Sequence, residues 1–401
     1  MKKLTILVLC VTMVFTIASP ISASETLYRD GELLVDGNLT AREFRESQSI
    51  VAYQHMYESL DDELYGGIYV DEDGNLNIWY LPSSIGQLKA DTDGAKAEAK
   101  KQFNNESIPF SVTYRYTLLS METMHEVSDK LLSEAAALGI FGTSIDERQN
   151  LLQIKVDLDT YNLHEIELIC EPLNGGFILE QGSEMEDWTA VPNGAGVAPF
   201  ANAPYDNQFT IGVGIQYRNP FESNIRYGFL TAGHCGSVGD NVFLGGTQIG
   251  RFVYSRENNT EGVDLAIIER WTANISASQY FSDGARYDNI LTATPAPVGS
   301  TIKVYSKGNR VHTGVIWSNN SNFTFNGVLW YNLIETRLSK ANSPGPGDSG
   351  SPLVYSAGAN HVVGILRGGN NSNALAEICF SKTEGLPGTI LPRVYVGTWA
   401  S

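Results

Sequence analysis

Gly347-Asp348-Ser349-Gly350-Ser351-Pro352 is the stretch that decides the reading of this chain, because Thr231-Ala232-Gly233-His234-Cys235 lies upstream of it. Between the two, Asp264 is embedded in the apolar run Gly262-Val263-Asp264-Leu265-Ala266-Ile267-Ile268. His, Asp and Ser are the three groups that make a serine hydroxyl nucleophilic at neutral pH. Ser349 is the candidate nucleophile. A serine in a glycine-rich loop is more often a plain turn residue, and it is the co-occurrence of the three motifs that sets this one apart. Gly347 and Gly350 permit a tight turn that can aim the N–H groups of Gly347 and Ser349 at one point, a candidate oxyanion hole. His234 supplies an imidazole, whose unperturbed pKa near neutrality suits it to take the serine proton and return it. Asp264 stands in an apolar strand, where a carboxylate without a partner is costly, and the histidine is the natural partner.

Working outward, the length of 401 residues points to two or more units. Lys2 and Lys3 precede an apolar run from Leu4 to Ala18 and the small-residue stretch Ser19 to Ser24, the three-part layout of a secretory signal over residues 1–23. The run is short for a membrane span, and no later segment is long and apolar enough to be one. The protein is therefore expected to be secreted, extracellular and soluble, with no membrane partner. Charge is divided unevenly: residues 1–204 hold 13 Lys+Arg against 32 Asp+Glu, and residues 205–401 hold 14 against 13. Such a shift suggests two units with different tasks, and neither carries a basic stripe that would attract nucleic acid. No His-Glu-x-x-His motif or cysteine pair suggests a metal centre, so no metal and no cofactor is expected.

From Ser24 to about Trp188 the pattern mixes helix and strand. Thr40 and Glu43 read as a capped helix start, and Tyr65 to Trp79 as a hairpin turning at Asp73-Gly74-Asn75. Met124 to Leu138 is helical in pattern, and Gly142 to Val156 reads as a turn leading into a strand, so a helix-then-strand order recurs. Pro192 to Pro204 is rich in Gly, Pro and small residues, as in an exposed, cleavable linker. Beyond it come short β-type runs, among them Phe209–Tyr217, Val242–Tyr254, Thr301–Tyr305, Gly314–Ser318 and Val362–Leu366, which indicate an antiparallel barrel or sandwich.

The order His, Asp, Ser and the motifs around His234 and Ser349 resemble the trypsin-fold (chymotrypsin-type) serine proteases, most of all the bacterial branch of α-lytic protease and the streptogrisins. The resemblance implies a double antiparallel β-barrel over residues 201–401. It also implies an acidic, two-part α+β propeptide over 24–200 that acts as folding aid and inhibitor. The activity implied is that of a secreted serine endopeptidase on polypeptide substrates, made as a prepropeptide and expected to be a monomer. Asp348, which in relatives that need processing pairs with a new N-terminal amine, is not expected to depend on that pairing here. Related proteases pair the cysteines equivalent to Cys235 and Cys379 with partners this chain lacks, so both are expected to stay as thiols.

Val362 to Asn370 resembles the family's substrate-pairing strand, which makes Arg367, Gly368 and Gly369 candidate substrate-binding residues. Ser343 occupies the base of the primary pocket, and the open entrance at Gly368 and Gly369 favours medium or large apolar side chains. The family has serine where Arg367 stands. An arginine there could pair with Asp264, swing toward the pocket and favour acidic side chains, or point to solvent. A glutamate-preferring protease is thus the runner-up, although glutamate-selective relatives carry histidine where Leu366 stands. A catalytically inactive trypsin-fold binding module and a processing enzyme with a single target remain as alternatives.

Overall fold

Thr40 and Glu43 start the first helix reciprocally: the Glu43 N–H donates to Thr40 Oγ1 at 3.2 Å and the Thr40 N–H donates to Glu43 Oε2 at 2.9 Å, a capping box. The computed structural model describes residues 28–29, 32–35, 39–57, 60–103, 109–187, 209–218, 225–244, 247–271, 287–290, 296–306, 310–339, 343–356, 360–370, 375–383 and 393–394. The signal segment 1–23 and the linker at 192–204 lie outside them. Three short strands, β1 (Tyr28–Arg29), β2 (Glu32–Val35) and β3 (Leu39–Thr40), form a small antiparallel sheet ahead of the capped helix.

Two units of one topology follow. In the first, α1 (Ala41–Tyr57) precedes the hairpin β4 (Tyr65–Val70) and β5 (Leu76–Tyr80), and α2 (Ile85–Phe103) carries the chain to β6 (Val112–Tyr116), parallel to β5. In the second, α3 (Met121–Ser133) and α4 (Ala135–Leu138) precede the hairpin β7 (Ile140–Asp146) and β8 (Leu151–Val156), and α5 (Leu163–Ile169) leads to β9 (Phe177–Gln181), parallel to β8. Ile68, Leu76 and Ile78 of the first unit share one core with Ile145, Leu152 and Ile154 of the second.

Two sequence expectations are corrected here. The helix expected at Met124 starts at Met121, because Ser120 caps it by accepting from the Thr123 N–H. Gly142 to Asp146 is strand, not turn; the chain reverses at residues 147–150, where Asn150 takes a positive φ of 53°. Gly142 is a strand residue for a packing reason: a Cβ there would lie 2.3 Å from the Asn322 carbonyl oxygen.

The remaining strands build two antiparallel sheets. One runs β13 (Asn241–Leu244), β14 (Thr247–Asn258), β15 (Val263–Arg270), β12 (Ile225–Thr231), β11 (Val213–Arg218), β23 (Arg393–Val394). The other runs β17 (Thr301–Ser306), β20 (Pro352–Ser356), β21 (Asn360–Asn370), β22 (Leu375–Lys382), β19 (Val328–Ser339), β18 (Arg310–Phe325), and β18 pairs back with β17, closing the ring. The short β16 (Tyr287–Ile290) adds to β21 in parallel. The described strands from Val213 to Val394 thus form the double antiparallel β-barrel, preceded by an α+β region. Each barrel has its own apolar core, Leu230, Leu265 and Ile267 in the first and Val304, Ile334 and Phe380 in the second. The far end of β18 runs on past the ring and pairs with β7, so that the second N-terminal unit and the second barrel share one sheet.

Candidate active site

His234 sits in the one-turn 3-10 segment Gly233–Cys235 that follows β12, and Asp264 is the second residue of β15, the strand paired with β12. The Asp264 carboxylate is fully buried and holds the histidine at two points. Its Oδ1 accepts the His234 backbone N–H at 2.8 Å, and its Oδ2 lies 2.6 Å from His234 Nδ1. Arg367, on β21 of the other barrel, brings its guanidinium NH1 to 2.9 Å from the same Oδ2. Burial alone would raise the acid's pKa, but His234 and Arg367 hold it down at about 2. Asp264 is therefore a carboxylate over the whole working range.

Ser349 lies in the turn between residues 343 and 351, where Gly347 and Gly350 take φ of 83° and 92°. A Cβ at Gly350 would stand 2.1 Å from the Thr210 carbonyl oxygen, so this corner needs glycine for space as well as for φ. The Ser349 hydroxyl donates to the carbonyl oxygen of Arg367 at 3.2 Å. A continuous path of contacts thus runs from Ser349 through Arg367 and Asp264 to His234, across the junction of the two barrels. Asp348, fully buried, receives a salt bridge from Arg310 of β18 at 2.6 Å and the Gly345 N–H at 2.8 Å. In the full chain its counter-charge is the Arg310 guanidinium.

Of the three dispositions open to Arg367, the side chain takes the one on Asp264. It is 2% exposed, which removes the solvent alternative. Its guanidinium lies over the Trp330 ring at 3.5 Å and near Phe325 at 4.9 Å. Gly368 and Gly369 are buried in β21, paired on one side with Cys379 and Ile378 of β22. On the other side a two-residue strand, β10 (Glu186–Asp187), pairs antiparallel with them, Glu186 opposite Gly369 and Asp187 opposite Gly368. Just ahead of it Met185 donates its N–H to the Thr324 carbonyl at 2.9 Å, and its side chain is buried with Phe323, Phe325, Trp330, Leu333 and Cys379. Ser343 is half-buried in the loop that leads to the Ser349 turn.

Arg310 and the segment around Met185 were not singled out from the sequence. Both act through contacts with residues far along the chain and neither sits in a local motif. The described cysteines Cys170, Cys235 and Cys379 are buried and form no disulfide. The Cys235 thiol is pushed well up by burial and by the Asp264 charge, so it stays protonated beside the histidine. Among the described residues no group of three or more His, Cys, Asp or Glu is arranged to hold a metal ion, and no helix is long and apolar enough to cross a membrane.

No protein-family model matches the chain. Solved structures similar to it include the Nocardiopsis protease NAPase, at 20% identity over 51% of this chain and 97% of that one, with a TM-score of 0.40. Cellulomonas bogoriensis chymotrypsin is similar at 26% identity over 48% and 91%, with a TM-score of 0.34. A glutamic acid specific serine protease described as using a histidine triad in substrate binding is similar at 23% over 50% and 99%, with a TM-score of 0.38. The fold of the second half, read from its own strand order, is that of the trypsin-type serine proteases.

Proposed function

We propose that the chain is a secreted serine endopeptidase whose residues 24–200 fold with, assist and block a catalytic domain at 201–401. The observation that carries this reading is the contact path Ser349–Arg367–Asp264–His234, which gathers three sequence-distant motifs at one barrel junction. In the reaction, His234 removes the Ser349 hydroxyl proton as Oγ attacks the substrate carbonyl carbon, and the N–H groups of Gly347 and Ser349 receive the oxyanion. The imidazolium returns its proton to the leaving amine, and a water activated by the same histidine then hydrolyses the acyl-enzyme. Asp264, ionised throughout, orients the ring and stabilises its charged form.

An extended substrate pairs with β21 at Gly368 and Gly369 and presents a medium or large apolar side chain to the pocket based on Ser343. The strand Glu186–Asp187 occupies that same edge, which supports the reading of the N-terminal part as an inhibitor. A glutamate-preferring enzyme is less well supported, because the Arg367 cation is spent on Asp264. The test is labelling by an aryl phosphonate followed by peptide mapping, with Ser349→Ala as control. The proposal expects a single adduct on Ser349 and loss of peptide hydrolysis by at least about 10⁴-fold in the variant. A protein that cleaves no peptide and takes up no phosphonate is the inactive binding module instead.

A further inference from the structure

Asp264 has two neighbours on one oxygen, the imidazole of His234 and the cation of Arg367. His234 Nδ1 lies 2.6 Å and Arg367 NH1 2.9 Å from Oδ2. The ring nitrogen and the guanidinium nitrogen are therefore no more than about 5.5 Å apart, and a proton added to the imidazole places two positive charges at that separation. Arg367 cannot relieve the repulsion by losing its own proton. It is also held in place: the guanidinium lies 3.5 Å over the Trp330 ring and 4.9 Å from that of Phe325. Its backbone carbonyl is fixed as well, as acceptor of the Ser349 hydroxyl.

We propose that Arg367 is a positioning residue of this active site, which clamps the same Asp264 oxygen that the histidine engages and makes His234 harder to protonate. The inference rests on the serine-protease reading and adds what sets its working pH: catalysis persists into more acidic media than a site with a neutral residue at 367 would allow. Charged and titratable groups face this centre from the His234 turn and from β14. From the His234 turn, Cys235 stays neutral. From β14, Glu257 Oε2 lies 3.9 Å from Arg367 NH1, but its side chain is 47% exposed, so solvent screens its offset of the arginine's charge. Arg256 on the same strand is engaged by Glu261 at 2.6 Å. Phe325 and Trp330 contribute no charge. The net effect of Arg367 on the imidazolium is therefore repulsive. Two unit charges about 5.5 Å apart correspond to about half a pH unit at the dielectric of water and about two at the value typical of protein sites.

The test is the pH dependence of kcat/KM for the processed wild-type protein, R367K, R367M and R367Q, with phosphonate labelling as a check that Ser349 remains competent. The proposal expects the acid limb of R367M and R367Q to move up by about one pH unit and that of R367K to stay with the wild type. Acid limbs that coincide for wild type and the neutral variants would overturn it, as would an R367K limb that moves as far as the neutral ones. Accumulation of R367K but of neither neutral variant would also overturn it, since the charge would then serve folding and not the histidine. Failure of the serine-protease reading looks different: the wild type itself would show no turnover and no Ser349 adduct.

Discussion

Gly142 of β7 and Phe323 of β18 stand opposite each other in an antiparallel ladder, and through that pairing the second N-terminal unit and the second barrel become one sheet. The approach is close enough that any side chain at 142 would meet the backbone of Asn322 and the ring of Phe323, at 2.3 and 2.7 Å. The neighbouring pair Thr143 and Asn322 adds a side-chain hydrogen bond, Asn322 Nδ2 to Thr143 Oγ1 at 3.2 Å. Replacing Gly142 by Val is expected to part β7 from β18 while leaving each unit's own core intact. Limited proteolysis of the precursor would then release the N-terminal part faster than in the wild type. Equal release rates would show that the seam does not hold the two together.

Arg310 should matter to activity without touching substrate. Its salt bridge is the counter-charge of the buried Asp348, one residue from the nucleophile, and Arg310 itself is half-exposed. Truncation to Ala leaves a buried carboxylate with only its remaining hydrogen bonds, at a cost of about 1–3 kcal/mol after allowance for solvent. Part of that is expected to appear as a distorted turn, so kcat should fall by about 10-fold or more. A stopped-flow phosphonate assay checks this, because a slower acylation rate with unchanged binding separates turn geometry from substrate affinity.

Stability should depend on pH in two windows on the acid side of neutrality, through two buried acids whose shifts have opposite sign. The Glu147 carboxyl, in a cavity of about 410 Å³ lined also by Asp62, His125, Asn319 and Lys382, is raised to about 7 by burial. Its folded-state pKa lies above the unfolded value, so its contribution is fully present below about 4.3 and is lost as pH rises through about 7. Asp264 is the reverse: held at about 2, it stabilises above the ordinary carboxylate value and the stabilisation is lost as pH falls from about 4 toward 2. Glu147→Gln is expected to remove about 3 kcal/mol of the slope between pH 4.5 and 7, an order-of-magnitude figure. Denaturant melts of S349A and S349A/E147Q across that interval measure it, and identical slopes would exclude Glu147 as the source.

Residues 205–401 refolded alone are expected to give little activity, and residues 24–190 added as a separate chain to restore it. The barrels join strands far apart in sequence, β20 with β17 and β11 with β23 among them, so loop-closure entropy is met before the contacts form. The preformed edge of β7 offers a template for β18. Activity recovered equally well without the added chain would reduce the N-terminal part to an inhibitor.

The sequence by itself determined the three catalytic candidates and the all-β character of the second half, because both are local. Gly347 to Pro352 and Thr231 to Cys235 are contiguous motifs, and strand alternation and turn residues repeat every few positions. The capping box at Thr40 and Glu43 was legible for the same reason, being a bond between residues three apart. Only the tertiary structure decided the rest. Gly142 read as a turn because glycine usually marks one, whereas its role is to let Asn322, 180 positions later, come close. Arg367 had three possible places, and the choice was made by the Trp330 face and the Asp264 oxygen, neither within thirty residues of it. The pairing of Glu186 and Asp187 with Gly369 and Gly368 left no local mark, since a main-chain ladder is indifferent to the side chains that form it. Charge pairing, close packing and strand addition act through space, and the chain order does not record which distant groups they bring together.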